Sequence, residues 1–277
     1  MTLDDAYRFC FAELSDRNID EADFKSLCLV CGIAGINNSD YPVSKKKIID
    51  KNKLNSALNR LIDGEPLQYV LGKWDFYESE FYVGEGVLIP RPETEELVEK
   101  ALEVIRNISH PVVYDLCSGS GCIGISIAKK RNDAMVYCVE KSTDAFKYLC
   151  KNAVGLSNIS CINDDINNDI ELPSADLIVS NPPYIKSDLL PFLQEEVKKE
   201  PAMALDGGTD GLDFYRLINY KWHNKLKKDA YLLLEIGNEQ GKDIKQVLNH
   251  FKDIKVIKDI YNNDRLVMAK RLDKFSK

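Results

Sequence analysis

The tetrapeptide Asn181-Pro182-Pro183-Tyr184 directly follows the short apolar run DLIVS. The carboxamide oxygen of Asn181 and the carbonyl of Pro182 can each accept a hydrogen bond. Two acceptors held close together suit the two protons of a planar –NH2 group. Fixing both protons disfavours conjugation of that group with its carbonyl and aims the nitrogen lone pair along one line. Pro182 and Pro183 stiffen the loop so that the acceptors do not wander. Tyr184 offers a ring face to a flat amide and to positive charge developing on its nitrogen. A structural turn with two prolines is the plainer alternative.

A second chemical segment is VVYDLCSGSGCIGI at 112–125. An apolar run ends at Leu116, a Gly/Ser loop follows, and a helical pattern opens at once. Gly119 and Gly121 permit a sharp turn and a close backbone approach to a ligand, beside the free N–H groups of a helix start. Gly124 completes the G-x-G-x-x-G spacing, which would serve a nicotinamide dinucleotide equally well. Asp115 favours another ligand: a carboxylate there repels pyrophosphate and suits the positive amino group of a methionine moiety. S-adenosylmethionine is the expected cofactor. Glu140, about 20 residues beyond the loop, stands where an acid accepts hydrogen bonds from ribose hydroxyls, unless it is an ordinary surface acid. Asp165 and Ile166 follow the next apolar run and would hold the edge and face of an adenine, although Asp164 competes with Asp165 for that place.

Other reactive residue types carry less. The three histidines, His110, His223 and His250, fall outside these segments and receive no catalytic role. The eight cysteines are scattered, which fits reduced thiols better than a disulfide framework. Cys28 and Cys31 form a CxxC with no second pair. With Phe24 and Leu27 they share one helical face, so core packing is the better reading, with Gly32 as a C-cap.

These residues need a scaffold, and the pattern supplies one. Apolar runs at 112–116, 135–140, 159–162, 176–180, 231–236, 254–259 and 265–269 predict strands. Helices are predicted at 122–130, 143–152, 189–198, 214–226 and 240–251. The alternation implies a seven-stranded, mostly parallel α/β sheet covered on both faces. Only YNND separates the last two strands, which predicts a hairpin and one antiparallel strand. Upstream, Leu3, Ala6, Tyr7, Cys10 and Leu14 recur at helical steps. A second helix is predicted near 20–31. A third, carrying Leu54, Leu58 and Leu61, would start near Ser44 as N-cap and stop at Gly64. Residues 75–89 read as an extended hairpin, followed by a helix from about Glu93. The expected division is a helical domain at 1–72, a hairpin linker at 73–92 and an α/β domain at 93–277.

The net charge of −7 argues against a grip on bare nucleic acid and suits a basic partner. The chain has 44% hydrophobic residues but no apolar run of membrane-spanning length. Its first residues lack the pattern of a signal peptide. A cytoplasmic protein is expected.

The chain resembles the HemK family of release factor glutamine methyltransferases over nearly its whole length. Besides the loop and the NPPY, the likeness rests on PLQYVLG at 66–72, LIPRPETEELVE at 88–99 and EPAMALDGGTDGL at 200–212. It continues in LLLEIGNEQG at 232–241 and KDIYNNDRLV at 258–267. NPPY alone is shared with adenine-modifying DNA enzymes and guanine-modifying RNA enzymes; the RPETE segment and the helical unit narrow the match. The resemblance implies a Rossmann-like class I methyltransferase domain that binds S-adenosylmethionine, and an N-terminal domain that grips a bacterial class I release factor. The methylated group would be the side-chain amide of the GGQ glutamine. Asn181, Pro182 and Tyr184 would serve catalysis and, with Pro183, substrate binding. The cofactor would meet Asp115, Cys117, Ser118, Gly119, Ser120, Gly121, Glu140, Asp165, Ile166 and Asn181. Two departures stand out. Cys117 replaces the usual first glycine of the loop, where a negative φ would preserve the backbone contact. Ile166 replaces a frequent aromatic. Methylation of a ribosomal-protein glutamine is the near alternative. An adenine-N6 DNA methyltransferase would need a basic target-recognition region, and a non-catalytic cofactor module would not need an intact NPPY.

Overall fold

The computed structural model describes residues 1–272. The chain divides into two compact units: Met1–Trp74 with Gln194–Lys199, and the remaining described residues.

In the first unit, α1 (Leu3–Ser15) is capped by Thr2, whose hydroxyl accepts the Asp5 N–H, and buries Leu3, Ala6, Cys10 and Leu14. Helix α2 (Ala22–Ala34) runs past Gly32 to a left-handed Gly35. Gly32 is therefore not a cap but a packing position: a Cβ there would lie 2.6 Å from Leu71 Cδ2. Cys28 and Cys31 are buried on this helix, whereas Phe24 is exposed. The expected helix start at Ser44 is wrong. Ser44 ends the short α3 (Tyr41–Ser44), and α4 (Lys51–Ile62) starts after Asp50, whose carboxylate accepts the N–H groups of Asn52 and Lys53. An acid at the N-cap satisfies two orphan donors, which Ser44 does not do. Helix α5 (Leu67–Leu71) completes the layer, and Leu54, Leu58 and Leu61 join the α1 and α2 faces in one core. Buried Lys25 pairs with Glu196 of the Gln194–Lys199 segment.

Strands β1 (Lys73–Phe76) and β2 (Ser79–Tyr82) form a two-stranded sheet, shorter than the hairpin expected at 75–89. After a turn at Pro92–Thr94, α6 (Glu95–Val104) begins with two acids in its first turn, two residues later than expected.

The second unit is built on β3 (Val112–Leu116), β4 (Met135–Glu140), β5 (Ile159–Asn163), β6 (Ala175–Ser180), β7 (Leu226–Glu235), β8 (Phe251–Lys258) and β9 (Asp264–Arg271). Their order is β5-β4-β3-β6-β7-β9-β8. Only β9 runs antiparallel to its neighbours, and it lies between β7 and β8. Successive side chains on each strand alternate between two cores. Val113, Val136 and Val179 pack under α6, α7 (Cys122–Lys130) and α8 (Thr143–Asn152). Tyr114, Leu116 and Ile178 pack under α9 (Asp213–Leu217), the turn containing Trp222 and α10 (Gly241–Val247).

The helix expected at 189–198 is not formed. Short 3-10 turns at Ser187–Phe192 and Val197–Lys199 stand there instead. Pro191, which offers no backbone donor, lies inside the first of them.

Candidate active site

The chain leaves β3 in two directions, through β4 and β5 on one side and β6 and β7 on the other. This makes the gap between β3 and β6 a topological switch point, where open α/β sheets form a ligand crevice at the strands' carboxyl ends. The Gly/Ser loop leaves β3 there and Asn181 leaves β6 there, with Leu116 paired to Ser180 in register. Ser180 Oγ donates to the Leu116 carbonyl at 2.5 Å and ties the two strand ends together.

A cavity of about 280 Å³ opens at this point. On its wall stand Cys117, Ser118, Gly119 and Ser120 from the loop, Glu140 from β4, Asp165 and Ile166 beyond β5, and Asn181 and Pro183 beyond β6. Gly119 and Gly121 have φ of +56° and +81°, and a Cβ on Gly121 would lie 2.4 Å from Leu149 Cδ1. Gly121 therefore requires glycine, whereas at Gly119 a Cβ would meet nothing within 4 Å and only the backbone conformation favours it. Cys117 departs from expectation: its φ is +59°, in the left-handed region that disfavours a side chain. The hydrogen bonds around it hold it there, since the Ser118 N–H donates to the Val139 carbonyl and Ser118 Oγ to the Asp115 carbonyl.

Glu140 bridges two backbones. Its Oε2 accepts the Gly119 N–H and its Oε1 the Ser142 N–H, both at 2.7 Å. Burial raises its carboxyl above the ordinary value, while these backbone donors oppose the rise. Each oxygen keeps a further lone pair for a hydroxyl in the cavity. Asp165 pairs with Lys141 at 2.8 Å and accepts the Asn167 N–H. Ile166 is buried, and its carbonyl accepts the Trp222 indole N–H.

Asp115 lies behind the loop, off the cavity wall. It is fully buried on the α7 face of the sheet, where Oδ2 accepts the Gly124 N–H at 2.9 Å while Oδ1 has no hydrogen-bond partner. A Cβ on Gly124 would meet Asp115 Oδ2 at 2.9 Å and Cys138 Sγ at 2.4 Å. That third glycine therefore serves helix–strand packing. Burial pushes the Asp115 carboxyl up to about 7.

The Asn181 side chain has its Nδ2 held: it donates to Thr94 Oγ1 at 3.2 Å. Pro182 and Pro183 are buried. Tyr184 is half-buried, off the wall, and fixed from several sides. Gln240 Nε2 donates to its carbonyl at 3.2 Å and also to that of Gly211. Gly207 and Gly211 approach it so closely that a Cβ would fall 2.7 Å from Tyr184 Cα and 2.5 Å from Tyr184 O. The GGTDG segment thus clamps the end of the NPPY. Burial pushes the Tyr184 phenol up to about 12.

Sequence reasoning missed Thr94, Arg91 and Phe214, which also line the cavity. Arg91 pairs with buried Glu200, whose other oxygen accepts the Ile89 N–H at 2.9 Å. The unusual density of prolines and charges in RPETE was the available signal.

The wall fits S-adenosylmethionine better than a dinucleotide. Buried Ser120 Oγ lacks a hydrogen-bond partner and stands on the cavity wall, and the nearby carboxylates would oppose a pyrophosphate. The fold and this cavity define a class I S-adenosylmethionine-dependent methyltransferase. The catalytic domain of hMettl16, solved with an RNA hairpin, shares the fold at a TM-score of 0.57 and 13% identity, over 80% of this chain and 81% of that one. Residues 5–72 match the PrmC N-terminal domain and residues 96–205 the methyltransferase small domain. Release factor glutamine methyltransferase of Fusobacterium nucleatum is 38% identical over 85% of this chain and 69% of its own length. That of Thermodesulfovibrio yellowstonii is 36% identical over 88% and 90%. The chain belongs to the release factor glutamine methyltransferase family.

Proposed function

We propose that this enzyme methylates the side-chain amide nitrogen of the GGQ glutamine in bacterial class I release factors. The observation that carries the reading is the meeting of two loops at one cavity: Cys117–Ser120 after β3 and Asn181 after β6.

Bound S-adenosylmethionine supplies an electrophilic methyl on its sulfonium. The loop backbone from Cys117 to Gly121, with Ser118 and Ser120, would hold the methionine part. Glu140 would take the ribose hydroxyls, and Asp165 and Ile166 the adenine. Asp115 would act from behind, by fixing the start of α7 and, in its ionised form, by placing negative charge near the amino group. The amide nitrogen is a poor nucleophile, so geometry and charge placement must do the work of a base. Asn181 Oδ1 and the Pro182 carbonyl would accept the two amide protons, and Tyr184, held behind the wall, would brace the loop that carries them. Once methylated, the nitrogen is strongly acidic and releases one proton to water, leaving the neutral N-methyl amide.

In this reading residues 1–72 would grip the factor, 73–92 would link, and 93–277 would catalyse. The chain's net negative charge favours a basic protein partner over direct contact with nucleic acid. All eight cysteines are thiols, which suits the cytoplasm.

Replacing Asn181 tests the reading. Asn181→Ala should lower single-turnover methyl transfer by about 10²–10³ while cofactor affinity stays near that of the parent. Asn181→Asp should keep more activity than alanine. Near-normal turnover in the alanine variant would end the proposal.

A further inference from the structure

We propose that Thr94 and Glu235 are positioning residues that fix which end of the Asn181 side chain faces the cavity. This rests on the reading of Asn181 as an acceptor for the substrate amide.

The register brings the three together. Strands β6 and β7 pair Ser180 with Leu234, so Asn181 and Glu235 are the next residues along adjacent parallel strands. Thr94 enters between them from the turn before α6. Its Oγ1 donates to Glu235 Oε2 at 2.7 Å and accepts from Asn181 Nδ2 at 3.2 Å. Thr94 is 2% exposed and Glu235 1%, so water does not replace either bond.

A hydroxyl has one proton to give. An ionised Glu235 can only accept, so Thr94 must spend that proton on it. Thr94 then offers Asn181 only a lone pair, Asn181 must turn its NH2 inward, and Oδ1 is left for the cavity. A carboxylate thus sets the polarity of the chain, and that polarity makes Asn181 an acceptor for the substrate.

A protonated Glu235 lifts the constraint. Its own proton can serve Thr94 Oγ1, the threonine proton can turn to Asn181 Oδ1, and the carboxamide can then present its NH2 to the substrate. Two like N–H groups would face each other, and the amide would no longer be held. Around Glu235, Arg265 and Arg91 favour the ionised form and Glu93 opposes it, while the neighbouring Tyr184, Tyr215 and Cys122 stay neutral in this range. Burial outweighs the rest and pushes the carboxyl up to about 7, so the polarity would change near neutrality.

The test is single-turnover methyl transfer from labelled S-adenosylmethionine to a purified release factor, between about pH 6 and about pH 9. The parent rate should fall on the acid side of about pH 7. Thr94→Val, which keeps the shape without the hydroxyl, should lose about 10–100-fold in rate, a far larger change than in S-adenosylhomocysteine affinity. Thr94→Ser should recover most of that loss. Glu235→Gln should give a lower rate without the acid limb. The relay is refuted if Thr94→Val matches Thr94→Ser, or if the acid limb persists in Glu235→Gln. Asn181→Ala separates the two ideas: if it is inactive while Thr94→Val is normal, only the relay fails. If it is active, the reading beneath the relay fails as well.

Discussion

Glu140 Oε2 accepts the Gly119 N–H at 2.7 Å, so the carboxylate that ends β4 also holds the glycine loop that follows β3. One side chain therefore couples the two places where the methionine and ribose ends of the cofactor are expected. S-adenosylhomocysteine at about 100 times its Kd should stabilise the protein by about 2.7 kcal/mol. Glu140→Ala should weaken that binding by about 10–100-fold, because two charge-assisted bonds to the backbone are lost with the ribose contact. Calorimetry and thermal shift measure both; tight binding of a nicotinamide dinucleotide instead would overturn the cofactor assignment.

Cys117 keeps its left-handed φ of +59° despite carrying a side chain. Cys117→Gly should leave stability within about 1 kcal/mol, since relieved strain offsets the added backbone freedom and the lost thiol contacts. Cys117→Val should cost about 2 kcal/mol or more, because a β-branched residue fits that region worst. Denaturant melts of the two variants would decide; a stable valine variant with intact cofactor affinity would show that the loop adopts another conformation.

Much of the scaffold could be read from the chain. The runs that became β3, β4 and β6 are short, apolar and bounded by turn residues, so their positions were legible, and with them the loop and the NPPY. The helix expected over 189–198 does not form, because its apolar spacing is local and short 3-10 turns around Pro191 satisfy the same residues. The start at Ser44 failed because Ser44 and Asp50 are both good caps, and only the packing of α4 chooses between them. The contact of Thr94 with Glu235 was illegible for another reason. They lie 141 residues apart, and only the register of β6 and β7 with the turn before α6 brings them to Asn181.

Glu235 should leave a mark on stability as well as rate. Its folded carboxyl, pushed up to about 7 by burial, stays protonated where an unfolded glutamate has ionised. The stability this neutral acid contributes is present below the unfolded value and is lost as pH rises to about 7. Glu235→Gln removes that loss. Relative to the parent, it should gain up to about 3 kcal/mol on going from about pH 4 to about pH 8. Urea melts at both pH values check this; a difference independent of pH would mean that folding leaves the carboxyl at its ordinary pKa.

The proposed division of labour predicts a separation of activities. A chain lacking residues 1–72 should still bind S-adenosylhomocysteine but fail to methylate an intact release factor. Retained methylation by that fragment would remove the gripping role from the helical unit.

The reaction is defined by one nitrogen atom. A purified release factor should be incubated with this enzyme and S-adenosylmethionine, digested, and sequenced by tandem mass spectrometry. The product should carry one added methyl group, on the side-chain amide of the GGQ glutamine, and it should accumulate about 10²–10³-fold more slowly when Asn181→Ala replaces the parent enzyme. A methyl group on any other residue, or an unmodified glutamine beside an enzyme that binds its cofactor normally, would contradict this.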